Sequence, residues 1–307
     1  MSGLIHRLMT RGRGLVVAVP YVWLLLFFLV PFLIILYISF SEAVIAQPPF
    51  TPLAELVRDE DFGTTKLQIL LNLSNYQRMF EDDLYILAYL NSVKIALITT
   101  LACLLIGYPM AYAIAKAPPS RRGTLMMLVI LPFWTSFLIR IYAWIGILKG
   151  NGLISNFLQW AGITAEPFEI LYSDWAVYIG MTYVYLPFMV LPLYATLEKL
   201  DPALLEAAAD LGSRPFRAFL QVTLPLSLPG IVAGSLLVFI PSVGEFVTPE
   251  LLGGPDTLMI GRVLWNEFFA NRDWPVASAV AVALLLFLVI PIMVFQHVQG
   301  RQMEEAR

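Results

Sequence analysis

The chain is poor in the residues that carry most soluble chemistry. Cys103 is its only cysteine, so no intrachain disulfide can form. Its two histidines, His6 and His297, stand at opposite ends of the sequence. No Cys/His cluster has the spacing of zinc ligands, so no metal site is expected. No Gly-x-x-x-x-Gly-Lys-Ser/Thr run occurs, so the chain has no phosphate cradle of its own. No nucleophile stands in a legible relation to a base, and no catalytic residue or bound cofactor is expected. Charged residues make up only 13% of the 307 positions, about half the share usual in a soluble domain. The formal net charge is −3, and no nucleic-acid partner is expected.

What is abundant is apolar. Hydrophobic residues reach 59%, and mean hydropathy is +0.77. A membrane-spanning helix needs about 20 apolar residues. Six runs qualify: 15–40, 84–115, 124–148, 175–197, 227–247 and 275–296. The chain is therefore expected to be an all-α integral membrane protein with six transmembrane helices in one domain, 1–307. Arg7, Arg11 and Arg13 precede the first run as they would in a signal peptide. That run is too long for a signal sequence, and no small-residue cleavage site follows Phe40, so a retained anchor is expected.

Lys and Arg set the orientation. With a cytoplasmic N-terminus, the inner segments hold Arg7, Arg11, Arg13, Lys116, Arg121, Arg122, Lys199, Arg214, Arg217, Arg301 and Arg307. The outer segments hold Arg58, Lys66, Arg78, Lys149, Arg262 and Arg272. Both termini and the loop 198–226 are then cytoplasmic, and the loop 41–83 is external. This outer loop carries Glu42, Glu55, Asp59, Glu60, Asp61, Glu81, Asp82 and Asp83 against three basic residues, Arg58, Lys66 and Arg78. Such a field attracts cations or a basic partner, although exported loops are in any case depleted in Lys and Arg. Asn75–Asp83 and Leu153–Ala161 have the spacing of short surface helices.

The inner loop has a definite local design. Asp201-Pro202 is a helix start, with an acceptor side chain followed by a residue suited to the first turn. Ala203–Leu211 are strong helix formers, and Gly212 is placed to end the helix in a left-handed conformation. Ser213 and Pro215 begin a second helix, Phe216–Val222, after which Leu224-Pro225 leads back to the membrane. Leu204, Ala207, Ala208 and Leu211 share one face. Glu206 and Asp210, four apart, form an acidic edge. A helix this short is unstable alone, so it is expected to be held by contact with something.

Few polar groups lie inside the spans. Glu245 follows Pro241 and Gly244, where irregular backbone is expected. A carboxylate within a span is costly and functional by default. Two readings stand: it meets a cationic substrate, or it is hydrated or paired with Arg140. Lys94 is expected to snorkel. Trp134, Tyr142, Trp144, Tyr183, Tyr185 and Phe246 can hold an alkyl ammonium by cation–π contact or serve as packing. Most spans carry a proline, which suits kinked helices lining a path. Gly230 and Gly234 form a small-residue face for close helix packing, internal or against a second subunit.

The spacing Glu206-Ala207-Ala208, Gly212, Val222, Leu224-Pro225 resembles the signature loop of membrane permease subunits of bacterial ABC importers. Isoleucine is usual where Val222 stands. Three further stretches resemble the permeases of polyamine importers of the putrescine type: Leu131–Trp144, Val238–Pro255 and Asn271–Pro275. The resemblance covers nearly the whole chain. It implies the type I importer permease fold, with a first helix wrapping a core of five and a cytoplasmic coupling helix. Glu206, Ala207, Ala208, Asp210 and Gly212 would couple the chain to an ATPase subunit. Glu245, Phe246, Trp134, Tyr142 and Tyr185 would line the substrate pathway. The implied partners are a second related permease, two ATP-binding subunits that supply ATP and Mg, a periplasmic polyamine-binding protein and membrane lipid. The implied location is the bacterial inner membrane. Spermidine or another small organic cation is the alternative to putrescine, and a self-sufficient secondary transporter is the alternative mechanism.

Overall fold

The structure is a computed structural model and describes residues 16–58 and 65–305. Arg7, Arg11, Arg13, Asp59, Glu60, Asp61 and Arg307, read above, lie outside the described residues. Five helical stretches are long and apolar enough to cross a membrane: Val16–Ser39, Asp83–Lys116, Phe137–Trp160, Asp174–Leu197 and Pro215–Val243. A further apolar helix, Trp274–Val289, is shorter.

In chain order the elements are α1 (Val16–Ser39), β1 (Ala54–Arg58), β2 (Thr65–Ile69), α2 (Ser74–Glu81) and α3 (Asp83–Lys116). Then come α4 (Pro119–Ile130), α5 (Phe137–Leu148), α6 (Leu153–Trp160) and α7 (Asp174–Leu197). The remainder are α8 (Ala203–Asp210), α9 (Pro215–Val243), α10 (Val247–Leu252), α11 (Ile260–Trp265) and α12 (Trp274–Glu305). The chain divides into two compact units, 1–83 with 264–307, and 84–263.

In the first unit α1 and α12 pack together, and most of α1 is exposed on every side, as a lipid-facing helix would be. Hydrogen bonds hold the described ends of the loop 41–83 in place. Asn75 donates from Nδ2 to the carbonyls of Ser39 and Ser41 at 2.9 and 2.8 Å. The Tyr37 hydroxyl accepts from the Leu53 N–H at 2.8 Å. Arg78 pairs with Asp273 at 3.5 Å, and Trp274 stacks on Phe268 with ring centroids 4.9 Å apart. The helix α2 lies where expected. The antiparallel ladder β1–β2, registered Leu56 to Leu67, is an addition to the all-helical expectation. Its strands, Ala-Glu-Leu-Val-Arg and Thr-Lys-Leu-Gln-Ile, are rich enough in β-branched and apolar residues to pair across a short connection.

In the second unit α7 is the central helix. Met181, Met189, Val190 and Leu193 are wholly buried in it. Its most extensive partner is α9. In lipid no hydrophobic force drives two apolar helices together, so close packing must. A Cβ on Gly230 would lie 2.6 Å from Thr196 Oγ1, and one on Gly234 would lie 2.7 Å from Met189 Sδ and 3.1 Å from its carbonyl. The small-residue face is thus occupied inside the chain.

Two expected spans differ. The run 124–148 is not one helix. α4 ends at Ile130, a 3-10 turn spans Leu131–Trp134, and α5 starts at Phe137. Pro132 lies in that turn, where its missing N–H and fixed φ favour a break. The run 227–247 begins earlier than expected, because the second helix of the inner loop does not end at Val222. It passes through a π-helical turn, Phe219–Thr223, directly into the span. The clash a proline causes falls on the carbonyl four residues before it. For Pro225 that residue is Gln221, inside the widened turn. The π turn Leu25–Leu29 stands in the same relation to Pro31. Each widened turn makes room for a proline and keeps its helix continuous.

Gly234→Val is expected to destabilise the chain by about 1–3 kcal/mol through overpacking against Met189. Thermal unfolding in detergent measures this, and an unchanged midpoint would show that α7 and α9 do not pack as described.

Candidate functional site

Glu245 lies in a gap between two helices. α9 ends at Val243 and α10 begins at Val247. The carboxylate turns onto the start of α10. Its Oε1 accepts from the N–H groups of Val247 and Thr248 at 3.2 and 3.3 Å. The Tyr185 hydroxyl, from α7, donates to Oε2 at 2.5 Å. A helix start offers unpaired N–H groups and a positive end, so the carboxylate is stabilised there without a cationic partner. Hydrogen bonds to an ionised group are about twice as strong as neutral ones.

Neighbouring elements hold this gap in shape. α10 packs on α5 and α7. A Cβ on Gly261 would lie 2.5 Å from the Gly244 carbonyl oxygen and 2.6 Å from that of Glu245. Only a glycine lets α11 come so close. Arg262 pairs with Glu250 at 2.6 Å, which ties α11 to α10.

Of the five residues expected along the substrate path, Tyr185 and Glu245 are in direct contact, and Phe246 follows Glu245 in the same gap. Trp134 and Tyr142 lie apart from them on the surface of the unit, 74% and 59% exposed. Arg140 does not pair with Glu245. Its guanidinium lies over the rings of Phe133 and Phe137, at 4.8 and 5.8 Å from their centroids. Phe133 meets Phe188 edge to face at 5.3 Å, and Phe188 meets Tyr185 at 6.2 Å. A run of three rings therefore links Arg140 to Glu245. Phe133 and Phe188 carry no distinguishing sequence signal among 20 phenylalanines. Lys94 pairs with Asp174 at 3.3 Å, and Asp174 also accepts from Thr257 Oγ1 at 2.7 Å. Trp144 and Tyr183 meet edge to face at 5.4 Å and serve as packing.

The loop 198–226 has the expected caps. Asp201 Oδ1 accepts from the Ala203 N–H at 2.9 Å. At the other end Gly212 has φ +78°. Its N–H reaches the Ala209 carbonyl at 2.8 Å, and the Ser213 N–H reaches that of Ala208 at 2.9 Å, which is the Schellman arrangement. Among the described residues nothing covers most of the shared apolar face: Leu211 is 89% exposed and Leu204 46%. Ala207, Glu206 and Asp210 are exposed, and Ala208 is half-buried. Behind α8 lies a cavity of about 470 Å³, lined in part by Lys116, Glu198, Leu204, Glu206 and Thr223. Among the described residues no group of His, Cys, Asp and Glu is placed to hold a metal ion.

Residues 103–304 match the family described as binding-protein-dependent transport system inner membrane component. The chain is 41% identical over 285 residues to the spermidine/putrescine transport system permease protein PotB of Haemophilus influenzae, with 93% of each chain covered. It is 41% identical over 273 residues to PotB of Escherichia coli, covering 89% of this chain and 92% of that one. Among solved structures, a bacterial ABC transporter involved in the import of the acidic polysaccharide alginate aligns with a TM-score of 0.68. That alignment covers 97% of this chain and 98% of the other at 18% identity, a likeness of fold alone.

A double-mutant cycle of Tyr185→Phe and Glu245→Ala is expected to give a coupling of about 1.5–3 kcal/mol in unfolding free energy. Additive effects would mean that the hydroxyl and the carboxylate do not meet.

Proposed function

We propose that this chain, which belongs to the family of binding-protein-dependent transport system inner membrane components, is the membrane-spanning permease subunit of an ATP-driven importer of polyamines. Putrescine is the proposed substrate, with spermidine the nearest alternative. The observation that carries the reading is the Glu245 carboxylate. It sits among apolar helices, held by Tyr185 and two backbone N–H groups, with no cation paired to it among the described residues. A charge at that depth costs roughly 2.5–3.5 kcal/mol, which a passing ammonium would offset. The likeness to PotB over nearly the full chain supports the same substrate class.

In this reading the chain is one permease domain of six spans, the sixth being α12, in the bacterial inner membrane. Residues 41–83 form a periplasmic loop, 198–226 form the cytoplasmic coupling loop, and both termini are cytoplasmic. A periplasmic binding protein delivers substrate to this chain and a second, related permease. Two ATP-binding subunits supply ATP and Mg. α8 is the coupling helix: Ala207, Ala208 and the exposed Leu211 seat it on the ATPase, Glu206 and Asp210 meet basic residues there, and Gly212 sets its end. Phe246 lines the path beside Glu245, and Trp134 and Tyr142 line it from the exposed face of this chain.

Reconstitution of the assembled importer tests this. Putrescine-loaded binding protein is expected to stimulate ATP hydrolysis, and Glu206→Ala to lower the stimulated rate about tenfold, the worth of a lost charge-assisted hydrogen bond. No stimulation by putrescine or spermidine would sink the substrate. Undiminished stimulation in Glu206→Ala would sink the coupling role. In uptake assays Glu245→Gln is expected to lose more diamine transport than any defect in folding accounts for.

A further inference from the structure

The start of α5 carries an unanswered positive charge. It falls near the middle of the apolar run 124–148, where the helix breaks. Ser136, at the N-cap, makes no side-chain cap. A helix start leaves its first N–H groups without intrahelical acceptors. The Arg140 N–H reaches the Ser136 carbonyl at 3.2 Å, so those of Phe137, Leu138 and Ile139 are the open ones. Arg140 itself is only 8% exposed, and its Nε and Nη1 find no acceptor among the described residues. Helical side chains lean toward the N-terminus. The guanidinium follows this rule, since it lies against Phe133 and Phe137. It therefore points back over the same helix start.

Two independent sources of positive potential thus meet in one place, and both are pure donors. The aromatic faces offset part of the cost of burying the guanidinium, but a ring face does not satisfy the N–H donors of two buried nitrogens. Unpaired buried donors of this kind call for a partner. The nearby carboxylate, Glu245, is already committed to Tyr185 and α10.

We propose that the start of α5 is a binding site for one small anion, a carboxylate group or a halide, held by Arg140 together with the N–H groups of Phe137, Leu138 and Ile139. The anion has two possible sources with the same chemistry: chloride from solution, or an acidic side chain of the second permease. In either case it cancels a positive charge that would repel a polycation passing Glu245. That role rests on the polyamine reading, whereas the occupancy of the site does not.

Electron cryomicroscopy of the assembled importer in lipid nanodiscs, prepared in chloride, tests the site. The expected result is an ion, or a carboxylate from the second permease, within hydrogen-bonding distance of the guanidinium and the α5 start. Replacing chloride with an organic sulfonate too bulky to enter removes the density if its source is solution and leaves it if its source is the partner; both results support the site. If the source is solution, Arg140→Gln is expected to weaken the apparent chloride affinity about tenfold or more, read from stimulated ATP hydrolysis. If it is the partner, the same variant releases the carboxylate from the α5 start. Water alone at the site, or Arg140 paired with Glu245, overturns the proposal. If the anion is present and polyamines still fail to stimulate hydrolysis, the substrate reading falls and the site stands.

Discussion

A carboxylate among apolar helices must be met by fixed donors, and the arrangement around Glu245 is the consequence. Its partners are two backbone N–H groups of α10 and one hydroxyl of α7. For α10 to present those N–H groups it has to begin there, so α9 must end at Val243 and the chain must turn at Gly244. For the turn to be enclosed, α11 must approach the carbonyls of Gly244 and Glu245, which requires Gly261. For the hydroxyl to reach, α7 must lie close to α9, and Gly230 and Gly234 permit that. The break, the two close approaches and the central helix are thus parts of one solution to burying a charge.

The same helix joins this site to the inner loop. α9 runs unbroken for 29 residues from Pro215 to Val243, roughly 43 Å at about 1.5 Å per residue. One end follows the Gly212 turn and α8, and the other stops two residues before Glu245. A proline break at Pro225 would have uncoupled them. The π turn at Phe219–Thr223 absorbs that proline and keeps the rod continuous. Under the proposed function, a push on α8 is delivered through α9 to the backbone that shapes the Glu245 gap. A helix that short with Leu211 uncovered is not stable alone, and under the proposed function the ATPase subunit holds it.

Legibility in the sequence divided along the range of the forces involved. Caps are local, so Asp201 and Gly212 marked the ends of α8 from their own chemistry. Apolar runs are local as well: 15–40, 84–115, 175–197 and 227–247 fall on helices long enough to cross a membrane, while 275–296 falls on α12, whose apolar part is shorter. The break at Thr135-Ser136 was not legible, because Pro132 resembles Pro109, Pro187 and Pro192, through which helices continue. The difference lies in whether neighbours answer the freed backbone groups, which is a tertiary matter. The irregular backbone at Glu245 could be anticipated from Pro241 and Gly244. Tyr185 is expected on the same path, but nothing local marks it as the hydrogen-bond partner of Glu245, and Gly261 could not be singled out from 19 glycines.

Arg140 and Glu245 show why composition alone misleads about charge in a membrane. Two opposite charges in one apolar region would ordinarily be expected to pair, since each lowers the cost of the other. Here each is held by something else: the carboxylate by a helix start and a hydroxyl, the guanidinium by two rings. The rings of Phe133, Phe188 and Tyr185 link the two without joining them. Had they paired, the site would be electrically closed, and an incoming cation would have to break a strong bond to gain one. Under the proposed function, separate stabilisation keeps the carboxylate available to that cation and leaves the arginine underserved. The positive end of α5 compounds that deficit, because Arg140 sits at the end of a helix that repels it. A charge placed so unfavourably, with no acceptor among the described residues, is what the proposed anion would answer.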